Sequence, residues 1–246
     1  MKDFDPIAQW DAEATKRYVK HLRGDEDDAV AFLQSVAGDG KALEFAIGTG
    51  RIAIPLKEQG VAVDGLEGSP EMLAQLRSDP VGKTIHAVVG DMSITSMDRR
   101  YNLVYLVYNT IFNLLTAEDQ IRCFENAARH LTDRGHFIVE TAVPHAWIQP
   151  GKSDYVKAEH VGASEVTFDV ARYDPATQLF EENHVTLTAG GIQMNPIVHR
   201  LITPGEMDLM ARIAGLRLVN RFSDWKCSGF DANSVIHVSV YGLNNN

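Results

Sequence analysis

The chain contains Leu43-Glu44-Phe45-Ala46-Ile47-Gly48-Thr49-Gly50-Arg51, an apolar run that turns into a glycine loop. The run is apolar apart from one carboxylate, which is typical of a parallel strand buried on both faces. Glycines at a strand-to-helix turn let the backbone approach a ligand, and the free N–H groups of a helix start favour polar or anionic groups. The stretch therefore predicts a ligand-binding turn after the first strand of an α/β sheet.

Strand and helix patterns alternate along the chain on both sides of this loop. Apolar runs lie at 42–47, 61–66, 84–89, 101–107 and 135–142, and helical segments lie at 50–58, 69–77 and 117–131. A last helix is expected after Thr203, followed by two strands at 216–222 and 234–242. This order predicts a doubly wound, Rossmann-like α/β sheet.

The region 152–202 breaks this alternation and contains no good helix pattern. Polar and apolar residues alternate at 155–160, 165–173, 179–187 and 192–201, with turn signals between these runs. Such a pattern predicts an antiparallel sheet inserted after the fifth strand. We interpret this β insert as a lid that covers the substrate.

The first 37 residues predict two helices before the sheet begins. The first helix repeats apolar and aromatic residues at helical spacing: Ile7, Trp10, Ala14, Tyr18 and Leu22. The second begins with the acidic run 25–28, where carboxylates offset the helix macrodipole. Our hypothesis for region 1–37 is a helical lid over the ligand, with Trp10 and Tyr18 in contact with it.

A second carboxylate follows the second strand. Glu67 lies 19 residues after Gly48, at the tip of that strand. A carboxylate at this place can accept hydrogen bonds from both hydroxyl groups of a ribose. The sequence therefore favours a nucleoside-containing cofactor at the carboxyl edge of the sheet.

The glycine loop alone does not decide which cofactor binds. Residues 48–53 match G-x-G-x-x-A, the dinucleotide fingerprint, so an NAD(P)-dependent Rossmann oxidoreductase is one alternative. Glu44 argues against the oxidoreductase alternative, because a carboxylate inside the first strand suits an ammonium group better than a pyrophosphate. Asp91 follows the third strand and suits an adenine amino group. A further alternative is a cofactor-binding module that performs no chemistry.

Taken together, these residues resemble the class I S-adenosylmethionine-dependent methyltransferases, over roughly 40–150 and 203–242. The resemblance implies S-adenosyl-L-methionine as cofactor and a last strand that inserts antiparallel beside the fifth. It implies the following cofactor-binding residues: Glu44, Ala46, Gly48, Thr49, Gly50, Glu67, Gly68, Met72, Asp91, Met92 and Tyr108. Ala46 stands where the family has its first glycine. The β insert resembles that of small-molecule methyltransferases, such as the sugar-amine and glycine N-methyltransferases.

Three residues are candidates for catalysis. Tyr108 and Asn109 follow the fourth strand, where this fold brings the chain close to the sulfonium. His145 follows the fifth strand at the start of the β insert and is our candidate general base. His199, on a strand of the insert, is a weaker candidate. A hydroxyl acceptor usually needs such a base and an amine acceptor does not, so the sequence leaves N- and O-acceptors open.

The composition of the chain limits its partners. The 246 residues are 45% hydrophobic and carry a net charge of −10, which argues against binding to nucleic acid or to an anionic membrane surface. No apolar stretch approaches the roughly 20 residues that span a bilayer, and no signal-peptide pattern is present. Two cysteines give neither a disulfide framework nor a metal knuckle. We expect a cytoplasmic protein with a small-molecule substrate and no metal, and leave open whether it forms a homodimer.

Overall fold

A seven-stranded sheet lies at the centre of the computed structural model, which describes residues 1, 4–19, 23–149 and 151–244. The helices are α1 (Ala12–Val19), α2 (Glu26–Ala37), α3 (Ala53–Glu58), α4 (Pro70–Ser78), α5 (Ala117–His130) and α6 (Pro204–Ile213). The strands of this sheet are β1 (Lys41–Phe45), β2 (Ala62–Glu67), β3 (His86–Val89), β4 (Tyr101–Leu106), β5 (Leu131–Ala142), β10 (Leu216–Phe222) and β11 (Ile236–Leu243). Leu22, predicted to end the first helix, lies outside the described residues.

The strand order is β10-β11-β5-β4-β1-β2-β3. Strands β1 to β5 pair in parallel, and β11 runs antiparallel to β5. The order reverses between β1 and β4, which is where open α/β sheets bind their ligands. The predicted doubly wound sheet with an antiparallel last strand is confirmed.

A second sheet is formed by the region between β5 and α6. Its four strands are β6 (Asp154–Val161), β7 (Glu165–Asp174), β8 (Leu179–Thr188) and β9 (Gly191–Arg200). They pair antiparallel in sequence order, as neighbouring hairpins do. The predicted antiparallel insert is therefore confirmed as a separate sheet.

Several element boundaries differ from the sequence expectation: α1 begins at Ala12, so Ile7 and Trp10 lie in the preceding turn region and not in that helix, and the starts of α3 and β5 also differ. Helix α3 begins at Ala53 and not at Gly50, because Gly50 has a φ of 86° and stays in the turn. Strand β5 begins at Leu131 and so includes Gly135, which the pattern suggests is a linker residue. A Cβ atom on Gly135 would lie 2.7 Å from the backbone oxygen of Tyr101. This glycine permits a close strand contact.

Apolar side chains cover both faces of the central sheet. On one face, Phe45, Phe124, Phe137 and Tyr241 form a fully buried aromatic group. The other face packs against α2 and α3, with Leu33 and Leu56 among its buried residues. Burial on both faces explains why the strand runs are continuously apolar. None of the described helices combines the length and the apolar character needed to cross a membrane.

The β insert is attached to the core through Arg200, the last residue of β9. Its buried guanidinium donates hydrogen bonds to Gln120 and Gln178, and to Glu206 at 2.8 Å. The α6 cap residue Thr203 accepts a hydrogen bond from the backbone N–H of Glu206. Helix α6 and the insert are therefore joined by one polar network.

We expect the substitution Arg200→Met to lower the free energy of unfolding by about 2–4 kcal/mol, because it removes the guanidinium donor of the buried Gln120 and of the part-buried Gln178 and Glu206. The matched control is Arg172→Met, which removes an exposed guanidinium paired with Glu181. That change should cost less than about 1 kcal/mol. Urea unfolding of both variants measures the difference. Equal losses would show that the buried network is not what attaches the insert.

Candidate functional site

The glycine loop after β1 is held in left-handed backbone conformations. The φ angles are 53° at Ala46, 57° at Gly48 and 86° at Gly50. A side chain in this region costs roughly 1–2 kcal/mol, so Ala46 carries strain that a glycine would not. A Cβ on Gly50 would clash with Leu76 and Ile54, whereas the space beside Gly48 is open. The open side of the loop is therefore at Gly48.

Glu67 connects this loop to the end of β2. Its two carboxylate oxygens accept hydrogen bonds from the backbone N–H groups of Gly48 at 2.7 Å and Ser69 at 2.8 Å. Burial raises the pKa of Glu67, and these N–H groups oppose that rise. A carboxylate offers about four acceptor sites, so two remain for a ligand such as a ribose diol.

Glu44 is the second buried carboxyl group at this edge. It is 3% exposed and accepts a hydrogen bond from the hydroxyl of Tyr105 at 2.9 Å. Burial raises its pKa to about 8, although Tyr105 and Arg51 act in the opposite direction. An ammonium group placed beside Glu44 would stabilise its ionised form.

A cluster of two arginines surrounds the ring of Tyr108. The guanidinium carbons of Arg23 and Arg51 lie 4.9 Å and 5.0 Å from the ring centroid. Arg51 also donates to Glu26 at 3.0 Å, and its Nε is buried without a hydrogen-bond partner among the described residues. This orphaned donor suits an anionic oxygen of a ligand, such as a carboxylate.

The turn after β4 is fixed by its contacts to β5. Tyr108 and Asn109 have φ angles of 60° and 63°. The backbone N–H of Tyr108 donates to Glu140 at 2.6 Å, and the side-chain oxygen of Asn109 accepts from the N–H of Ala142 at 2.6 Å. The side chain of Asn109 therefore bridges two strands, with its oxygen engaged in that contact.

The remaining predicted cofactor residues lie along the same edge of the sheet. Thr49 lines a cavity of about 550 Å³, together with Tyr18, Glu26 and Arg51. Gly68 packs against Ile7 of the N-terminal segment. Asp91 is exposed after β3, and its carboxylate accepts a hydrogen bond from the N–H of Ser93 at 2.7 Å. Met72 and Met92 are buried side chains that pack behind the loops.

The two histidine candidates lie in different environments. His145 is exposed, in the short helical turn Pro144–Ala146 that follows β5. His199 stacks on Trp147 with ring centroids 5.5 Å apart and lies 6.2 Å from Phe112. Burial lowers the pKa of His199 to about 4, and its Nδ1 has no described partner. The structure therefore packs His199, and not His145, against the aromatic rings of Trp147 and Phe112.

Sequence reasoning missed three charged residues of this site. They are Arg23, Arg51 and Glu140. The sequence could have identified Glu140 as a candidate site residue, because it is a lone carboxylate near the end of an apolar strand. Arg51 lies next to the glycine loop, but nothing in the pattern shows that its side chain turns toward Tyr108. Arg23 pairs with Glu140, 117 residues away, a contact that no local pattern predicts.

Comparison with known proteins identifies the family of the chain. The chain is 31% identical to the CcbJ methyltransferase from Streptomyces caelestis, with a TM-score of 0.89, over 98% of this chain and 99% of that one. The chain belongs to the class I S-adenosylmethionine-dependent methyltransferases. Residues 42–135 also match the methyltransferase domain family. The resemblance found in the sequence is therefore confirmed.

Two further relatives extend this comparison. An S-adenosylmethionine-dependent methyltransferase from Clostridium acetobutylicum ATCC 824 shares the fold, with 14% identity and a TM-score of 0.78 over 95% of this chain and 98% of that one. The putative methyltransferase YqeM of Bacillus subtilis (strain 168) is 31% identical over 103 residues, which is 41% of this chain and 42% of YqeM. The chain thus aligns with less than half of that curated relative. These relatives are methyltransferases, and they do not support the oxidoreductase alternative.

The high pKa of Glu44 predicts a pH-dependent stability for the protein without cofactor. The folded state keeps a proton up to about pH 8, whereas the usual value is 4.5. The stabilising effect is full below pH 4.5 and is lost as the pH rises through 8. We expect the free energy of unfolding to fall by about 3 kcal/mol more in the wild type than in Glu44→Gln between pH 5 and pH 8.5.

Urea unfolding at the two pH values, without cofactor, measures this difference. The matched control is Glu58→Gln, which changes an exposed carboxyl group on α3 and should behave like the wild type. An identical pH dependence in Glu44→Gln and wild type would show that Glu44 is ionised in the folded protein.

Proposed function

We propose that this protein transfers the methyl group of S-adenosylmethionine to an amine nitrogen of a small molecule. The observation that carries the choice of acceptor is the packing of His199 against Trp147 and Phe112, because removal of the imidazole from water lowers its pKa. A group whose pKa is about 4 does not deprotonate a hydroxyl, whereas an amine attacks as its own free base.

The described residues fit the cofactor at both of its ends. Glu67 would accept the ribose hydroxyl groups, and Glu44 would face the ammonium group of the methionine part. Arg51, whose Nε lacks a partner, would donate to the methionine carboxylate. Asp91 and the loop that follows β3 would face the adenine. When bound, the cofactor supplies an electrophilic methyl group on a sulfonium.

The chain contributes mainly by holding and enclosing the acceptor. Phe112 and Trp147 follow β4 and β5, so they lie where the acceptor meets the strand ends. His199 is mostly neutral near pH 7 and would accept a hydrogen bond from the acceptor's N–H. Placing the amine about 3 Å from the methyl group and excluding water can supply much of the rate.

Two segments would close the site as lids. The N-terminal segment contacts the β2–α4 loop, because the backbone oxygen of Trp10 accepts a hydrogen bond from Ser69 at 3.0 Å. Tyr18 lies between Trp10 and Tyr108, with centroids 5.4 Å and 6.1 Å away. The β insert would cover the acceptor from the side of Trp147. These contacts support the predicted lid roles of regions 1–37 and 152–202.

Calorimetry tests the cofactor. We expect micromolar binding of S-adenosylmethionine and S-adenosylhomocysteine, and no comparable binding of NAD. The substitution Glu67→Ala should weaken cofactor binding by about 1–3 kcal/mol, because it removes the acceptor of the ribose hydroxyls. Glu71→Gln, an exposed carboxyl group on the adjacent helix, is the control and should leave affinity unchanged. Binding of NAD alone would contradict the assignment.

Steady-state kinetics with an amine that the protein methylates tests the two histidines. For His145→Ala we expect kcat and KM within about threefold of wild type, because an amine needs no general base. For His199→Phe we expect KM to rise about tenfold through the lost hydrogen bond, with kcat changed less. The rate should increase with pH up to the pKa of the acceptor's own ammonium. A hundredfold loss of kcat in His145→Ala would instead make His145 a general base.

A further inference from the structure

One face of the β insert, which we call the inner face, turns toward the catalytic edge of the central sheet. It carries Phe180 and His199, which are directly paired across β8 and β9. Trp147 lies 5.9 Å from Phe180 and 5.5 Å from His199, measured between ring centroids. Because Trp147 follows β5, the inner face forms one wall of the cleft in which the acceptor would bind.

Charged residues occupy the same face farther along the strands. Lys157, Asp169 and His184 are paired across β6, β7 and β8, and Glu182 lies between His184 and Phe180 in sequence. Since directly paired residues and alternate residues of a strand share a face, all four belong to the inner face. The wall therefore changes from aromatic to charged with distance from Trp147.

Negative charge exceeds positive charge in this group. Lys157 pairs with Glu159 at 2.6 Å. Glu159 also contacts the carboxyl group of Asp169, so Glu159, Asp169 and Glu182 share one ammonium group and the imidazole of His184. That imidazole contacts Asp169 and lies 3.5 Å from Glu182. Asp169 is 6% exposed, and burial raises the pKa of both carboxyl groups. Two enclosed carboxylates thus lack a full cationic partner among the described residues.

A second observation also points to a ligand on this wall. The buried Nδ1 of His199 has no hydrogen-bond partner among the described residues. In the strand pairing, Glu182 stands opposite Ile197, so His199 lies one inner-face position away from it. Buried polar atoms are normally satisfied by a partner, so an orphaned one beside a carboxylate indicates a bound polar molecule.

We propose that Asp169 and Glu182 form a subsite for an ammonium group of the acceptor, at a distance from the amine that is methylated. This inference rests on the proposed function. Inner-face residues are spaced by about 6.6 Å along a strand, so Glu182 lies about 6.6 Å, and the row of Asp169 and His184 about 13 Å, from the row of Phe180 and His199. The acceptor is therefore an extended molecule with at least two amino groups, one methylated near His199 and one held by the carboxylates.

Binding to the full-length protein saturated with S-adenosylhomocysteine tests the subsite. The probe is spermidine, an extended triamine, and tetraethylene glycol is the uncharged probe of similar length. We expect calorimetry to detect spermidine and not the glycol. Glu182→Gln should weaken spermidine binding about tenfold, whereas Lys157→Gln, which frees Glu159, should strengthen it severalfold. The matched control is Glu181→Gln, on the opposite face of the same strand, and it should bind as the wild type does.

Three results would overturn the subsite. They are absence of spermidine binding, equal affinity in Glu182→Gln and Glu181→Gln, and binding of ZnCl₂ that is lost in Glu182→Gln while spermidine does not bind. The last would assign Asp169, Glu182 and His184 to a metal ion. Failure of the proposed function is distinguishable, because it would appear as absent binding of S-adenosylhomocysteine in the first step or as a hundredfold loss of kcat in His145→Ala. Binding of S-adenosylhomocysteine without spermidine would remove the subsite alone.

Discussion

The buried carboxylate of Glu140 joins three distant parts of the chain at the catalytic edge. It is 1% exposed at the end of β5, and it accepts hydrogen bonds from the guanidinium of Arg23 at 3.0 Å and from the backbone of Tyr108 at 2.6 Å. An unpaired carboxylate at this depth would be very costly, so folding requires both partners. This requirement holds the N-terminal segment against the sheet and fixes the left-handed turn after β4. Tyr108 is thereby placed between the two arginines.

The same edge concentrates charge of both signs in an enclosed space. Three buried carboxyl groups lie at or near the carboxyl ends of β1, β2 and β5: Glu44, Glu67 and Glu140. Two guanidinium groups, those of Arg23 and Arg51, contact the ring of Tyr108. A ligand with an ammonium, a carboxylate and a ribose would complement this arrangement, because Glu44, Arg51 and Glu67 would face those three groups. Interactions of this kind are stronger away from water than at the surface. The electrostatics of the edge therefore agree with the family to which the chain belongs.

Most of the fold was predictable from the sequence, for reasons that are physical. The continuously apolar runs at 42–47 and 101–107 mark strands covered on both faces, and the alternation in 165–173 marks a half-covered strand. Patterns of this kind are local, so they can be recognised in the sequence without knowledge of the tertiary packing. The start of β5 was missed, because Gly135 is both a turn signal and a residue that permits close strand contact.

The sequence predicts the site residues only where they lie in or next to the loops that follow the strands. Glu67 and Gly48 follow from the strand–turn–helix pattern, and the structure joins them by a hydrogen bond. The contact between Arg23 and Glu140 was not predictable, because it links segments 117 residues apart. The sequence favours His145 over His199 as general base, since no pattern shows which strand residue contacts Trp147. The catalytic roles of Tyr108, Asn109 and His145 stay predictions.

A crystal structure with S-adenosylhomocysteine bound tests the central claim most directly. The account predicts the two ribose hydroxyls within hydrogen-bond distance of Glu67 and the methionine carboxylate against Arg51. The sulfur should point toward the cleft beside the packed rings of Phe112 and Trp147, whose centroids are 5.6 Å apart and where the inner face of the insert begins. A ribose bound away from Glu67, or a sulfur that points away from that cleft, would contradict the account.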